Sequence, residues 1–234
     1  MATKPNSSDL ISWWELNDTD WLDSHSTNHL KQAGAVGIDT GVVGNGAEFS
    51  ASTNNYLYCC DSPDFDFHAG RTMTLFFRGA GYASAFELMG KKDAGDDFLL
   101  MSPSTNNTRL SLRVYDSNGT ASTNIADVAL GSNASYFATM YITASDHGLS
   151  INDGVMYTTP KITGEGSADL RIGGSYGASF AGVIDNVNLW YGRLSSDNRA
   201  WIYNDGSGRS YSEVGSTDVP VVITDNAIFF AIGI

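Results

Sequence analysis

The chain has 234 residues, 42% of them hydrophobic, with 26 acidic against 13 basic side chains for a formal net charge of −13. That length allows one large core, and so negative a chain with no local cluster of Lys and Arg repels phosphate backbones, which argues against nucleic acid as a partner. Charged residues are sparse at 17%, glycine is abundant at 25 residues, and Asn, Ser and Thr fill the gaps between apolar runs, the texture of many short strands joined by turns.

Residues 10–16 read as a first strand that sends Trp13 and Trp14 to opposite faces. Residues 17–20 form a turn, and the polar segment 21–30, WLDSHSTNHL, follows. Residues 54–60 and 72–78 read as buried strands separated by a polar, Pro-containing stretch, and 86–91, 97–101 and 110–115 continue the series as an antiparallel meander. Two cysteines occur, Cys59 and Cys60, and as neighbours on a strand they point to opposite faces; they are expected to be free thiols in a protein that folds without disulfides. Residues 136–143 form a strong strand, and 149–157 read as a hairpin whose Asn152-Asp153-Gly154 carries a type I′ signature.

Residues 169–173 lead into 180–191, where alternation puts Val183, Asp185, Val187, Leu189 and Tyr191 on one face and Ile184, Asn186, Asn188 and Trp190 on the other. A carboxylate among apolar neighbours is costly unless an Arg, backbone amides or a cation compensates it, so the strand predicts a partner for Asp185. Ser195 then caps a short helix over 197–203 that stops at Asn204-Asp205-Gly206. After a linker, the apolar stretch 219–234 is too short for a membrane span and is broken by Asp225. It reads as a strand-like arm that either adds to its own sandwich or docks on a neighbouring subunit through Val221, Ile223, Ile228, Phe229, Phe230 and Ile232. The organisation is therefore an N-terminal segment over 1–9, a domain over 10–208, and a linker with the arm over 209–234.

Three stretches carry a family resemblance. Trp14 and Leu16 with D-S-H-x-x-N-H-L over 23–30, G-x-x-G-N-G-A-x-F over 41–49, and G-x-I-D-x-V-x-L-W-x-x-R-L-S over 182–195 together resemble LamG-like domains, concanavalin A-like jelly rolls of the laminin G and pentraxin type. Asn186 and Asn198 stand where that family usually has Glu, and Tyr136-Phe137 opens a strand that usually begins with Trp and His. The resemblance, which covers roughly 10–208, implies an all-β antiparallel jelly-roll sandwich with one short helix. The opening motifs are close to a subset common in tailed-phage structural proteins, which implies a virion context: a capsid decoration or tail accessory protein on the particle surface, made without a visible secretion signal.

Concanavalin-like glucanases place paired carboxylates in an E-x-D-x-x-E pattern. Glu15, Glu48, Glu87, Glu165 and Glu213 are scattered, so no enzyme is expected. His25 and His29 lack zinc-site spacing and read as hydrogen-bonding residues of a polar turn. The family implies a structural calcium ion (Ca2+) near the final strand, for which Asp185, Asn45 and the turn at Asn17 or Asp18 are the candidate ligands; satisfaction of Asp185 by backbone amides or Arg171 is the alternative. Surface glycans are the expected ligands, with Tyr56, Tyr58, Tyr82, Tyr176 and Trp190 as candidate platforms among aromatics that mostly form the core. The runner-up to the virion reading is a free carbohydrate-binding module.

Overall fold

The computed structural model describes residues 2–52, 54–82, 84–92, 97–103, 106–116, 118–160, 166–174 and 178–215. Its strands are β1 (Leu10–Trp14), β2 (Lys31–Ala33), β3 (Val36–Thr40), β4 (Asn45–Phe49), β5 (Tyr56–Cys59), β6 (Arg71–Gly79), β7 (Glu87–Lys92), β8 (Asp97–Met101), β9 (Ser111–Tyr115), β10 (Ala121–Ile125), β11 (Ser135–Ile142), β12 (Asp146–Ile151), β13 (Tyr157–Pro160), β14 (Leu170–Ile172) and β15 (Gly182–Tyr191). Two short helices close the described chain, α1 (Ser196–Tyr203) and α2 (Tyr211–Gly215).

The strands form two antiparallel sheets. The first runs β13-β12-β11-β6-β15-β4-β3, with β1 also paired to β15, and the second runs β10-β9-β8-β7-β14-β5-β2. The chain thus crosses between layers repeatedly: β5 and β6, consecutive in sequence, lie in different sheets, and the expected meander is confined to β7–β10. The main core lies between the sheets, with Trp14, Leu57, Phe77, Met89, Leu112, Ile184 and Leu189 among its members.

Alternation creates a second, smaller core on the far side of the first sheet. Trp13, Phe76, Phe137 and Trp190 point away from the main core and meet Ile202 of α1 and Val214 of α2. Trp13 and Trp190 pack edge to face with centroids 6.2 Å apart. The two tryptophans at 13 and 14 therefore serve two cores, as their adjacency predicts. Helix α1 begins where Ser195 caps it, its hydroxyl accepting from the Asn198 amide at 3.1 Å. It ends at Asn204, whose left-handed φ of 49° breaks the helical repeat.

Val214 is fully buried, and α2, a five-residue turn of helix beyond residue 208, belongs to the second core. The hairpin turn keeps its type I′ character, with Asn152 at φ 51° and Asp153 at φ 52°, but pairing resumes only at Leu149 opposite Tyr157, so β13 starts later than expected. The arm residues Val221, Ile223, Ile228, Phe229, Phe230 and Ile232 lie outside the described residues.

Candidate functional site

Strand β15 does not alternate cleanly. A bulge falls between Asp185 and Asn188, and Asn186 takes a left-handed φ of 51°, which an Asn adopts more readily than most residues. The extra residue flips the faces: Val187 and Leu189 enter the main core, whereas Asp185 turns to the opposite side. The expected face shared by Val183, Asp185, Val187 and Leu189 is thereby corrected.

Asp185 is nonetheless almost fully buried, and it has the partners its burial demands. Its Oδ2 accepts the amides of Val42 and Val43 at 2.7 and 2.8 Å. Those amides belong to the loop between β3 and β4, which carries the G-x-x-G-N motif. A side chain at Gly41 would collide with Asp185 Oδ2 and the Asn45 carbonyl, and one at Gly44 with Asn17 Oδ1. The glycines thus let the loop close over the carboxylate. Burial pushes the Asp185 carboxyl up to about 7, against the opposing pull of the Val43, Val42 and Asn186 amides and with added repulsion from Glu15. Asp185 Oδ1 and Asn186 Oδ1 are buried with no hydrogen-bond donor among the described residues.

This donor set does not fit a calcium ion held by the expected trio. Amide N–H groups face Asp185 Oδ2, and they favour an anion over a cation. Asn45 turns away to Asn17, its amide nitrogen donating to Asn17 Oδ1 at 2.8 Å and its side-chain Nδ2 to the Asn17 carbonyl at 3.1 Å. Asp18 is exposed and lines a different cleft with Glu15, Asp20 and Trp21. There a side-chain hydrogen bond with Asp20, then burial, raise its carboxyl above the usual range. Arg171, the other expected partner of Asp185, lies on the second sheet.

The D-S-H-x-x-N-H stretch is a hydrogen-bonded loop. Asp23 Oδ1 accepts the amides of Trp13, His25 and Ser26 at 3.0, 2.9 and 3.1 Å, and Oδ2 accepts the Ser26 hydroxyl at 2.6 Å. His29 Nδ1 accepts the Asp23 amide at 3.0 Å, and the Trp14 indole donates to the Asn28 carbonyl at 2.7 Å. The histidines act as expected, as hydrogen-bonding groups of a turn.

The aromatic candidates separate by burial. Trp190 is fully buried, its indole bonded to Asn188 Oδ1 at 2.8 Å. Tyr82 is 6% exposed and its hydroxyl accepts the Gly79 amide at 3.0 Å; burial holds its phenol at about 12. Neither can present a ring to a ligand, because alternation and a chain reversal turned both inward. Tyr176 lies outside the described residues.

Tyr56 and Tyr58 remain. On β5 the intervening Leu57 enters the core, so both tyrosines stand half-exposed on the outer face of the second sheet, with ring centroids 5.9 Å apart at 60°. Tyr58 is opposite Lys31 of β2 on one side and Arg171 of β14 on the other. The Arg171 guanidinium lies 4.7 Å from the Tyr56 ring centroid and Lys31 Nζ 6.0 Å from that of Tyr58. Sequence reasoning found the tyrosines by type and missed their cationic neighbours, which are remote in the chain.

Four of the five glutamates are among the described residues, and Glu165 lies outside them. Glu15 accepts the Tyr211 amide at 2.9 Å, Glu213 pairs with Arg209 at 2.8 Å, Glu48 is on β4 and Glu87 is buried on β7 in the other sheet. Among the described residues, no group of three or more His, Cys, Asp or Glu is placed to hold a metal ion.

No family model and no curated protein matches the chain. Solved structures do resemble it. Domain 4 of AbnA, a GH43 extracellular arabinanase from Geobacillus stearothermophilus in complex with arabinotriose, aligns with a TM-score of 0.68 at 12% identity, over 86% of this chain and 98% of that one. The binding domain of Paraclostridial Mosquitocidal Protein 1 aligns at 0.70 with 13% identity, over 86% and 53%. The botulinum neurotoxin serotype D binding domain aligns at 0.71 with 12% identity, over 85% and 52%. The chain thus spans nearly all of the arabinanase domain and about half of each toxin domain. At these identities the likeness establishes the fold, an antiparallel β-sandwich.

Proposed function

We propose that this chain is a non-catalytic binding module that presents the Tyr56–Tyr58 platform to oligosaccharides, displayed as a structural or adhesion protein on a phage-like particle. The observation that carries the binding reading is the pair of half-exposed tyrosines on an open sheet face, rings angled to one another and flanked by donors. Sugar rings stack on such faces through their C–H surfaces while nearby polar groups fix orientation. The arabinotriose complex of the similar arabinanase domain and the binding role of the toxin domains support it by analogy of fold. The scattered glutamates support the non-catalytic part, since glycosidic cleavage needs two facing carboxylates. The virion part is supported by the motifs at 23–30 and 41–49.

A glycan array read with and without calcium is the test. Hits are expected, and Tyr58→Ala should weaken each by about tenfold or more, ~1.4 kcal/mol, with unchanged thermal unfolding. An array without a hit in either condition rejects the binding reading.

A further inference from the structure

We infer that Tyr191 and Asp64 form a further binding site, for a single neutral sugar ring, at the corner where β15 ends and β6 begins; it goes beyond the Tyr56–Tyr58 platform and does not depend on it. Tyr191 is the last residue of β15 and, at 47% exposure, the single aromatic among the large hydrophobic side chains left exposed in the described residues. One side of its ring is occupied. The register sets Tyr191 opposite Arg71, the first residue of β6, and the guanidinium carbon lies 4.6 Å from the ring centroid. That guanidinium is buried and committed, Nε donating to the Asp64 carbonyl at 3.0 Å, Nη1 to that of Gly70 at 2.9 Å and Nη2 to that of Pro63 at 3.1 Å. A ring backed in this way is held in place and turns its other side to solvent.

The polar half of the site is also fixed. Phe65, fully buried and stacked on Trp14 with centroids 6.4 Å apart, anchors the turn Pro63–Phe65 that carries Asp64. Asn28, from the D-S-H-x-x-N-H stretch, donates through Nδ2 to Asp64 Oδ2 and to the buried Ser12 hydroxyl, each at 2.9 Å. Asp64 Oδ1 faces the Tyr191 hydroxyl, which donates to it at 3.5 Å, a bond long enough to yield to an incoming hydroxyl. Asp66, two residues on, accepts the Ala69 amide at 3.1 Å and adds to the negative charge of the corner. An aromatic face beside a carboxylate oxygen fits a ligand with a C–H surface and hydroxyl donors. The carboxylates repel an anion, and a cation on the open side of the ring would be repelled by Arg71 behind it. A neutral sugar meets neither penalty.

The test is saturation-transfer NMR on the full chain with methyl β-galactoside, with methyl β-galacturonide, which carries a carboxylate on the same ring, and with tetramethylammonium. The neutral sugar should receive transfer on its C–H face, bind about tenfold or more weakly in Tyr191→Ala, and keep its signal in Tyr191→Phe and Tyr58→Ala. Asp64→Asn retains an acceptor for Asn28 and keeps the ring over Arg71; it should weaken the sugar as well, so the site is tested even where Tyr191→Ala disturbs the fold. Transfer that survives Tyr191→Ala and Asp64→Asn unchanged, or that is lost only in Tyr58→Ala, overturns the site and leaves the platform standing. Absence of transfer to the galactoside overturns it too, and the glycan array then decides the platform separately. Galacturonide binding as tightly as the galactoside overturns the neutral assignment, and displacement of the galactoside by tetramethylammonium overturns it in favour of a cation.

Discussion

Asp185 shows what a buried carboxylate does when the chain supplies donors instead of a counter-charge. Two amides donate to one oxygen, the other has no donor among the described residues, and burial leaves the carboxyl at about 7 against an ordinary 3.8. Because the folded value is the higher one, the folded state holds an extra proton between about pH 4 and about pH 7. The stability this contributes is complete below about pH 4 and is lost as pH rises through 7. Asp185→Asn keeps an acceptor for Val42 and Val43 and removes the titration. Denaturant unfolding of the wild type should therefore weaken, relative to this variant, by on the order of 4 kcal/mol from about pH 4 to about pH 8. Parallel pH curves for the two proteins would refute this account of the site.

At the scale of elements, β15 is the strand on which the first sheet is assembled, paired with β1, β4 and β6. Gly182 opens it with φ 145°, and a Cβ there would lie 2.1 Å from the Arg78 carbonyl. Gly182→Ala must move β6 or β15 as well as adopt a disfavoured backbone, so its loss of stability should exceed the ~1 kcal/mol of a simple positive-φ glycine replacement. Thermal unfolding measures it, and a midpoint unchanged from wild type would contradict the close approach. The bulge four residues later carries a different lesson. One extra residue at Asn186 reverses which side chains reach the core, and strict alternation, the rule used to read the strand, has no means of registering it.

At the scale of the molecule, the C-terminal helices cover the far side of the first sheet. The N-terminal segment joins them, with the Thr3 amide donating to the Asp197 carbonyl at 3.1 Å and Asn198 Nδ2 to the Thr3 carbonyl at 2.9 Å. A chain ending at Gly215 retains Val214 and so keeps this layer. If residues 216–234 act as an assembly arm, light scattering on a sizing column should give an oligomer for the full chain and a monomer for the shortened one. Two well-folded monomers would remove the arm from the virion reading.

Most of the strands, the helix with its Ser195 cap, and the opposed tryptophans were legible because each is set by local rules, namely alternation, turn residues and a capping side chain, whereas the sandwich came from the family resemblance. The need of Asp185 for a partner was legible for the same reason, since a carboxylate in a buried strand always has that need. Which partner answers it was decided in three dimensions, because the Val42 and Val43 amides come from a loop more than a hundred residues away and reach Asp185 only where Gly41 permits it. The same holds for the tyrosines. Residue type nominated Tyr56, Tyr58, Tyr82 and Trp190 alike, and only the folding of β5 to an outer face, with Lys31 and Arg171 drawn beside it from separate strands, left two of them facing solvent and charge. Sequence determines what a side chain requires, and long-range pairing determines what stands next to it.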